Sequence, residues 1–174
     1  MKRIIIACVI AAVSVGTGCQ TTTVEPVSSA PMKKIARGTC IYVVIPHDGS
    51  YDGRQYQGSG ATVASAFDAA LSRYADSVIV GAGSDSTAEV IAIAKEKKCT
   101  YAVIPKITRW EDRATEWSGI RDKMELLVKV VGVDDGAVVA SAEIKGKSAW
   151  ATFGGDHPED LVKVPVQEFV AGLF

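Results

Sequence analysis

Two short apolar runs, each stopped by a proline, organise the middle of the chain. The first extends from Cys40 to Pro46 and the second from Cys99 to Pro105, and each has a Tyr two positions after its Cys. Continuous runs rich in β-branched residues are typical of parallel strands buried on both faces. The pattern therefore predicts two such strands, each opening a unit of the fold.

The stretch between these runs predicts a helix, a strand and a second helix. A helix from about residue 61 to 74 would place four apolar side chains on one face: Val63, Phe67, Leu71 and Tyr74. A short strand is predicted at 77–80, and a capping box at 86–89 predicts a helix that ends near residues 97 and 98. Right-handed crossovers wind this β-α-β-α-β order into a parallel sheet with the first and third strands adjacent.

The last third of the chain predicts an antiparallel extension of this sheet. Residues 124–133 and 137–147 are strand-like, and Asp134-Asp135-Gly136 between them is a hairpin turn signal. A short C-terminal helix is predicted from Pro165 to Leu173, with Pro165 at its first position. The predicted fold class is α/β: a parallel βαβαβ core extended by an antiparallel hairpin into one mixed sheet, with a short C-terminal helix.

The N-terminal residues predict a signal for lipid attachment. Lys2 and Arg3 precede an apolar run that is shorter than the roughly 20 residues needed to span a membrane, and small residues then lead to Cys19. This order resembles a bacterial lipoprotein signal peptide at residues 1–18, in which the cysteine receives fatty acid and becomes the mature N-terminus. Gly16 departs from the Leu that this pattern prefers. The alternative is an ordinary secreted protein cut at the same place.

The resemblance to lipoproteins also implies a location and partners. Gln20 follows the cysteine where an Asp would favour retention in the inner membrane, which implies the outer membrane, with the domain on the periplasmic side. Residues 19–36 are rich in Thr, Ser and Pro and predict a flexible tether. Residues 37–174 have the length of a single α/β domain. The expected partners are the membrane, through the lipid, and other envelope proteins.

Composition and charge argue against several classes of function for this protein. The chain has 19 basic and 20 acidic residues, and since Lys2 and Arg3 lie in the signal peptide, the mature chain has a net charge of −3. No basic stripe is present, so nucleic-acid binding is not expected. Only His47 and His157 could offer imidazole ligands, and neither a zinc spacing nor a nucleotide fingerprint occurs, so no metal or cofactor is expected.

Cys40 and Cys99 occupy equivalent places in the two apolar runs. If the two strands are neighbours in register, the cysteines lie side by side, because adjacent strands are about 4.8 Å apart and a disulfide bridges that separation. The periplasm is oxidising. The pattern therefore favours a Cys40–Cys99 disulfide, with two buried free thiols as the alternative.

Two segments rich in charged and aromatic residues are the candidates for function. Residues 109–119 follow the third strand, and residues 150–158 follow the last strand. Together with Gly58-Ser59-Gly60, they resemble the signature stretches of an uncharacterised bacterial lipoprotein family, domain-of-unknown-function family 4823, over most of the mature chain. That resemblance implies no activity. The order of elements is similar to the small α/β domain of the curli-secretion lipoprotein and to the amino-terminal domain of TolB, a likeness of topology that does not fix function.

Three interpretations of the two segments stay open. As a binding surface, aromatic anchors would be surrounded by charged residues, and the candidates are Arg109, Trp110, Glu111, Arg113, Glu116, Trp117, Trp150, Asp156 and His157. As the centre of a carbohydrate-active or cell-wall-modifying enzyme, the segments would contribute Glu111, Asp112, Glu116, Asp156 and His157. In that case Glu111, Glu116 and Asp156 would converge in one cleft. As structural elements, Arg113 would pair with Glu111 or Glu116. We favour a non-enzymatic envelope lipoprotein that binds other proteins as an accessory of assembly or secretion.

Overall fold

A six-stranded mixed sheet forms the centre of the protein in the computed structural model, which describes residues 21–27, 33–84, 86–112, 121–148 and 157–174. The strands of this sheet are β1 (Thr21–Pro26), β2 (Cys40–Ile45), β5 (Ser77–Ala82), β6 (Tyr101–Glu111), β7 (Lys123–Gly132) and β8 (Val138–Lys147), in the spatial order β1-β8-β7-β6-β2-β5. A separate small hairpin is formed by β3 (Ser50–Tyr51) and β4 (Arg54–Gln55).

The parallel part of the sheet is the part that the apolar runs predict. β2 pairs in parallel with β5 on one side and with β6 on the other, so the predicted adjacency of the first and third strands is confirmed. β6 does not stop at Pro105 as predicted but continues to Glu111. Its pairing with β2 covers only residues 101–103, and a proline is tolerated beyond that point because the strand then has a neighbour on one side only.

β6, β7 and β8 form the predicted antiparallel extension. The turn between β7 and β8 contains Gly136, whose φ of 66° is a left-handed conformation that glycine adopts without strain. The N–H of Gly132 donates to the carbonyl of Ala137 across the turn at 2.9 Å. The hairpin signal at 134–136 is therefore confirmed.

Helices cover both faces of the sheet. α1 (Ser59–Leu71) and α3 (Asp160–Leu173) pack on one face, where the rings of Phe67 and Phe169 meet edge to face at 6.3 Å. α2 (Thr87–Glu96) packs on the other face over β2 and β6. The side-chain oxygen of Ser86 accepts from the N–H of Glu89 at 3.4 Å, so the predicted start of α2 is confirmed.

The C-terminal helix is longer than predicted. α3 begins at Asp160, and Pro165 lies inside it rather than at its first position. A proline inside a helix removes one backbone hydrogen bond. An uninterrupted apolar stripe is nevertheless buried along one side of the helix, at Leu161, Val162, Pro165, Val166, Phe169, Val170 and Leu173. Burial of this stripe against α1 and the sheet outweighs the lost bond.

The prediction of a tether at 19–36 is wrong for its first described part. Residues 21–26 form β1, which pairs antiparallel with β8 from Thr21 opposite Lys147 to Pro26 opposite Ala142. Further along, the N–H of Ile35 donates to the carbonyl of Leu173 at 2.9 Å, and the Ile35 side chain is buried in the core. Residues 21–26 and Ile35 are therefore part of the domain fold.

A disulfide joins Cys40 and Cys99, with the two Cα atoms 4.4 Å apart. Cys40 is the first residue of β2, and Thr100 directly precedes β6. The N–H of Thr100 donates to the Cys40 carbonyl at 2.9 Å, so the starts of β2 and β6 lie side by side. This is the geometry that the equivalent places of the two cysteines in the apolar runs predict. Among the residues that the structure describes, no helix has the length and hydropathy to cross a membrane.

Candidate binding site

The loop between β2 and α1 is held by the carboxylate of Asp48. Its Oδ1 accepts from the N–H of Gly60 at 2.8 Å, and its Oδ2 accepts from the N–H of Gly58 at 3.1 Å. A Cβ at position 60 would collide with the carbonyl oxygen of Pro46, so the helix start lies against the end of β2 only because residue 60 is a glycine. Backbone N–H groups before a helix can bind an anion, and at 58–60 the anion is the carboxylate of Asp48.

A bulge in β6 decides which side chains reach the core. The register with β7 shifts between Ile107 and Arg109. Beyond this bulge, the even-numbered residues of β6 lie on the face that α1 and α3 cover. Trp110 therefore lies opposite Met124 in the core and is 2 % exposed. Sequence alone favoured Trp110 as a surface anchor, but its indole is packed inside the domain.

Arg109 and Glu111 lie on the opposite face of β6, two residues apart on the same strand. The Nε of Arg109 is 3.2 Å from the Oε2 of Glu111, and one of its terminal nitrogens is 3.3 Å from Glu125. Lys123 adds a second cation, with its Nζ 4.0 Å from the Oε2 of Glu111. The hydrogen bond to Glu125 raises the pKa of Arg109, and the charge of Glu111 adds to the effect. Glu111 is fully buried in this ion-pair network.

The two candidate segments meet at a cleft beside α3. The Nδ1 of His157 is 3.4 Å from the Oδ1 of Asp112, although the two residues are 45 positions apart. The hydroxyl of Tyr56 donates to the carbonyl oxygen of Asp112 at 3.1 Å, which attaches the β4–α1 loop to the same point. We call this space of about 400 Å³ the His157 cleft; it is lined by Arg54, Gln55, Tyr56, Gln57, Ser59, Trp110, Asp112, His157, Pro158 and Glu159.

The surroundings of His157 raise the pKa of its imidazole. Its hydrogen bond with Asp112 raises the pKa, and the charges of Asp112, Asp122 and Asp160 act in the same direction. Partial burial works against the shift. The side chain is 63 % exposed, so the imidazole remains accessible from solvent at the mouth of the cleft.

The described residues that flank the two segments are clamped to each other. Asp122 and Ser148 exchange two hydrogen bonds: the N–H of Asp122 donates to the Ser148 hydroxyl at 2.9 Å, and the N–H of Ser148 donates to the Asp122 carbonyl at 3.1 Å. With the contact between Asp112 and His157, each segment is therefore tied to the other on both sides.

The remaining sequence candidates lie outside the described residues. These are the predicted lipidation site Cys19 and the surface candidates Arg113, Glu116, Trp117, Trp150 and Asp156. The structure adds Tyr56, which the sequence did not single out because its contact spans 56 positions. It also brings Asp112 to the cleft, a residue that the sequence suggested only as a member of a catalytic centre.

A second recess lies on the α2 face, beyond the ends of β2 and β5, where open α/β sheets hold ligands. This strand-end groove of about 490 Å³ is bordered by His47 and Asp48 after β2 and by Ser84 and Thr87 near α2. Its floor is apolar at Ile104 and Leu127. The carboxylate of Asp48 is already bound by the N–H groups of Gly58 and Gly60 at the start of α1.

The arrangement gives the catalytic interpretation little support at Glu111. Glu111 lines neither the His157 cleft nor the strand-end groove. A general acid or base must reach the group from which it takes a proton, and a carboxylate that is fully buried among cations does not. Within the described ranges, no group of three His, Cys, Asp or Glu side chains could hold a metal ion.

The fold defines a class of small α/β domains with one mixed sheet between helices. The chain belongs to the family described as domain of unknown function DUF4823, whose model matches residues 33–173. The resemblance to this family is therefore confirmed. No curated protein matches the chain.

Solved structures share this fold. PelC, a dodecamer from Paraburkholderia phytofirmans, has a TM-score of 0.67 at 14 % identity, with 89 % of this chain and 97 % of that chain covered. A variant of PelC from the same organism gives a TM-score of 0.63 at 15 % identity, covering 90 % and 98 %. Lipoprotein GNA1162 from Neisseria meningitidis is less similar: its TM-score of 0.41, at 13 % identity and with 64 % of this chain and 82 % of that chain covered, is too low to show a shared fold.

Proposed function

We propose that this chain is an envelope lipoprotein, acylated at Cys19 and held on the periplasmic side of the outer membrane. It acts without catalysis, by binding other envelope proteins as an accessory of assembly or secretion. The binding surface surrounds the His157 cleft and includes the exposed side chains of Arg54, Gln57, His157 and Glu159.

One observation carries this proposal: the two family signature segments, distant in sequence, are joined at the cleft through Asp112 and His157. Trp110 and Glu111 are buried, and a structural role accounts for both: Trp110 packs in the core, and Glu111 belongs to an ion-pair network. His157 does not contribute to the core, since its side chain is 63 % exposed. A polar, solvent-open cleft with an aromatic wall is typical of a recognition surface.

The anchor is tested by the mass of the mature protein purified from membranes. Acylation at Cys19 predicts a mature N-terminus at residue 19 with added fatty acid, and Cys19→Ser abolishes both the added mass and membrane association. A mature chain that is cut at the same place but carries no fatty acid would instead indicate an ordinary secreted protein.

The binding surface is tested by photocrosslinking in intact envelopes. A photoreactive residue in place of Gln57 or Glu159 at the cleft is expected to capture a partner protein. The matched control is the same residue in place of Lys95, which is equally exposed on α2, over the other face of the sheet. Capture from position 95 alone, or from no position, would contradict the proposal.

Copies of the chain itself are a second candidate partner. Within the described sheet, β1 and β5 are the outer strands, and each has a partner on one side only. Open strand edges can pair with another chain, and PelC, which shares the fold, is a dodecamer. Native mass spectrometry of the acylated protein in detergent distinguishes multiples of its own mass from complexes with other proteins.

A further inference from the structure

One row of paired residues crosses four strands at one end of the sheet. Glu111 on β6 is opposite Lys123 on β7, Lys123 is opposite Lys147 on β8, and Lys147 is opposite Thr21 on β1. Neighbouring strands are about 4.8 Å apart, so the row is about 14 Å long. We call this row and the adjoining exposed Arg121 the anchor row.

The predicted lipid attachment lies next to this row. Cys19 is two residues before Thr21, and two residues reach at most about 7 Å. Because β1 is paired with β8 from Thr21 onward, no free tether separates the lipid from the sheet. An acyl chain on Cys19 would therefore hold this end of the domain at the bilayer and keep the opposite end away from it.

The charges of the anchor row suit a phospholipid surface. Arg121 and Lys147 are exposed, and the Lys123 side chain is 31 % exposed. Of the acids at this end of the sheet, Glu111 and Asp122 are buried, and Asp112, whose side chain is 26 % exposed, contacts the imidazole of His157. Cations beside a membrane are attracted to lipid phosphates.

The helix side of the same end differs in charge. Glu159 and Asp160 are exposed where α3 begins. Carboxylates repel phosphate, so the sheet side rather than the start of α3 is expected to touch the headgroups.

The geometry points to the anchor row as the membrane-facing surface of the protein, with Arg121, Lys123 and Lys147 against the headgroup phosphates of phospholipids. This inference rests on the acylation of Cys19 proposed above. It adds a fixed orientation of the domain: the end of the sheet with the anchor row contacts the bilayer. The turn at 134–136 is then the part of the β7–β8 hairpin that lies farthest from the bilayer. Nine residues of extended β7 put that turn about 30 Å from the row.

The test uses acylated full-length protein in vesicles of phosphatidylethanolamine and phosphatidylglycerol that carry a nitroxide at the headgroup. A fluorophore is attached at Lys147→Cys or Arg121→Cys, and the matched control is Asp134→Cys in the exposed turn. The Cys40–Cys99 disulfide is kept oxidised, and unchanged melting temperatures verify that each variant is folded. Two independent positions in the row keep the test decisive if one variant fails to fold.

The expected result is loss of fluorescence at positions 121 and 147 and none at position 134. Acylated protein with equal loss at all three positions, or loss at position 134 alone, overturns the orientation and leaves the proposed function standing. A mass spectrum without fatty acid on Cys19 overturns the anchoring and the orientation together.

Discussion

The carboxylate of Asp48 and the backbone N–H of Gly60 are joined by a hydrogen bond of 2.8 Å. This contact ties the end of β2 to the first turn of α1, and it places a negative charge at the positive end of the helix dipole. The loop between these two points carries Tyr56 and Gln57 to the wall of the His157 cleft. The shape of the cleft therefore depends on a residue that does not line it.

Replacing Asp48 with alanine is expected to destabilise the protein by about 1–2 kcal/mol, because the N–H groups of Gly58 and Gly60 lose their acceptor. The measurement is the free energy of unfolding from urea titration. Asp134→Ala, in an exposed turn, is the control and should change stability by less than about 0.5 kcal/mol. Equal effects of the two substitutions would show that Asp48 does not cap α1.

Replacing Arg109 with methionine is expected to cost about 2 kcal/mol, because the buried carboxylate of Glu111 loses a charged hydrogen-bonding partner. The double variant Arg109→Met, Glu111→Met should recover part of that loss, because the buried charge is removed with its partner. A double-mutant cycle from urea unfolding measures the coupling. Strict additivity of the two single changes would contradict the ion pair.

Reduction of the Cys40–Cys99 disulfide is expected to lower the free energy of unfolding by about 4 kcal/mol in the chain-entropy treatment. The cysteines are 59 positions apart, so the bond closes a long loop in the unfolded chain. Unfolding is compared with and without dithiothreitol. The variant Cys40→Ala, Cys99→Ala should be insensitive to the reductant, and a wild-type protein that is equally insensitive would indicate free thiols.

The contact between His157 and Asp112 is expected to make stability depend on pH. The folded pKa of His157 is raised above its unfolded value of about 6.5. Its contribution is therefore fully present below about pH 6.5 and is lost as the pH rises through the folded pKa. Because the side chain is largely exposed, the contribution should stay below about 1 kcal/mol.

The variant His157→Gln measures this contribution. Its difference in unfolding free energy from the wild type should be present near pH 5 and vanish near pH 9, and Asp112→Asn should remove the same pH-dependent part. High salt should shrink the effect, because exposed charges are screened. A difference that is constant across this range would show that His157 acts through packing alone.

The features visible in the sequence are those governed by local pattern. The similarity between the Cys40 and Cys99 runs predicts two parallel neighbours, because both runs are rich in β-branched residues, begin at a Cys and are stopped by a proline. The turn at 134–136 is set by three adjacent residues. Such signals need no knowledge of distant parts of the chain.

The site depends on features that local pattern does not carry. The bulge after Ile107 reverses which face of β6 each residue occupies, and no residue type marks it, so the burial of Trp110 could not be read from alternation. The contact between Asp112 and His157 joins residues from two segments that the fold brings together. β1 was missed because Pro26 and the flanking serines resemble a linker, although the run of threonines at 21–23 has high β propensity.

β1 also has a practical consequence for work with shortened forms of the protein. The family match starts at residue 33, and a version cut to that boundary would lack the strand that covers β8 from Ala142 to Lys147. The uncovered edge would then offer unsatisfied backbone groups to any other strand. Dimers or aggregates of such a version would reflect the missing six residues, and binding partners captured with it should be confirmed with a protein that begins at residue 20.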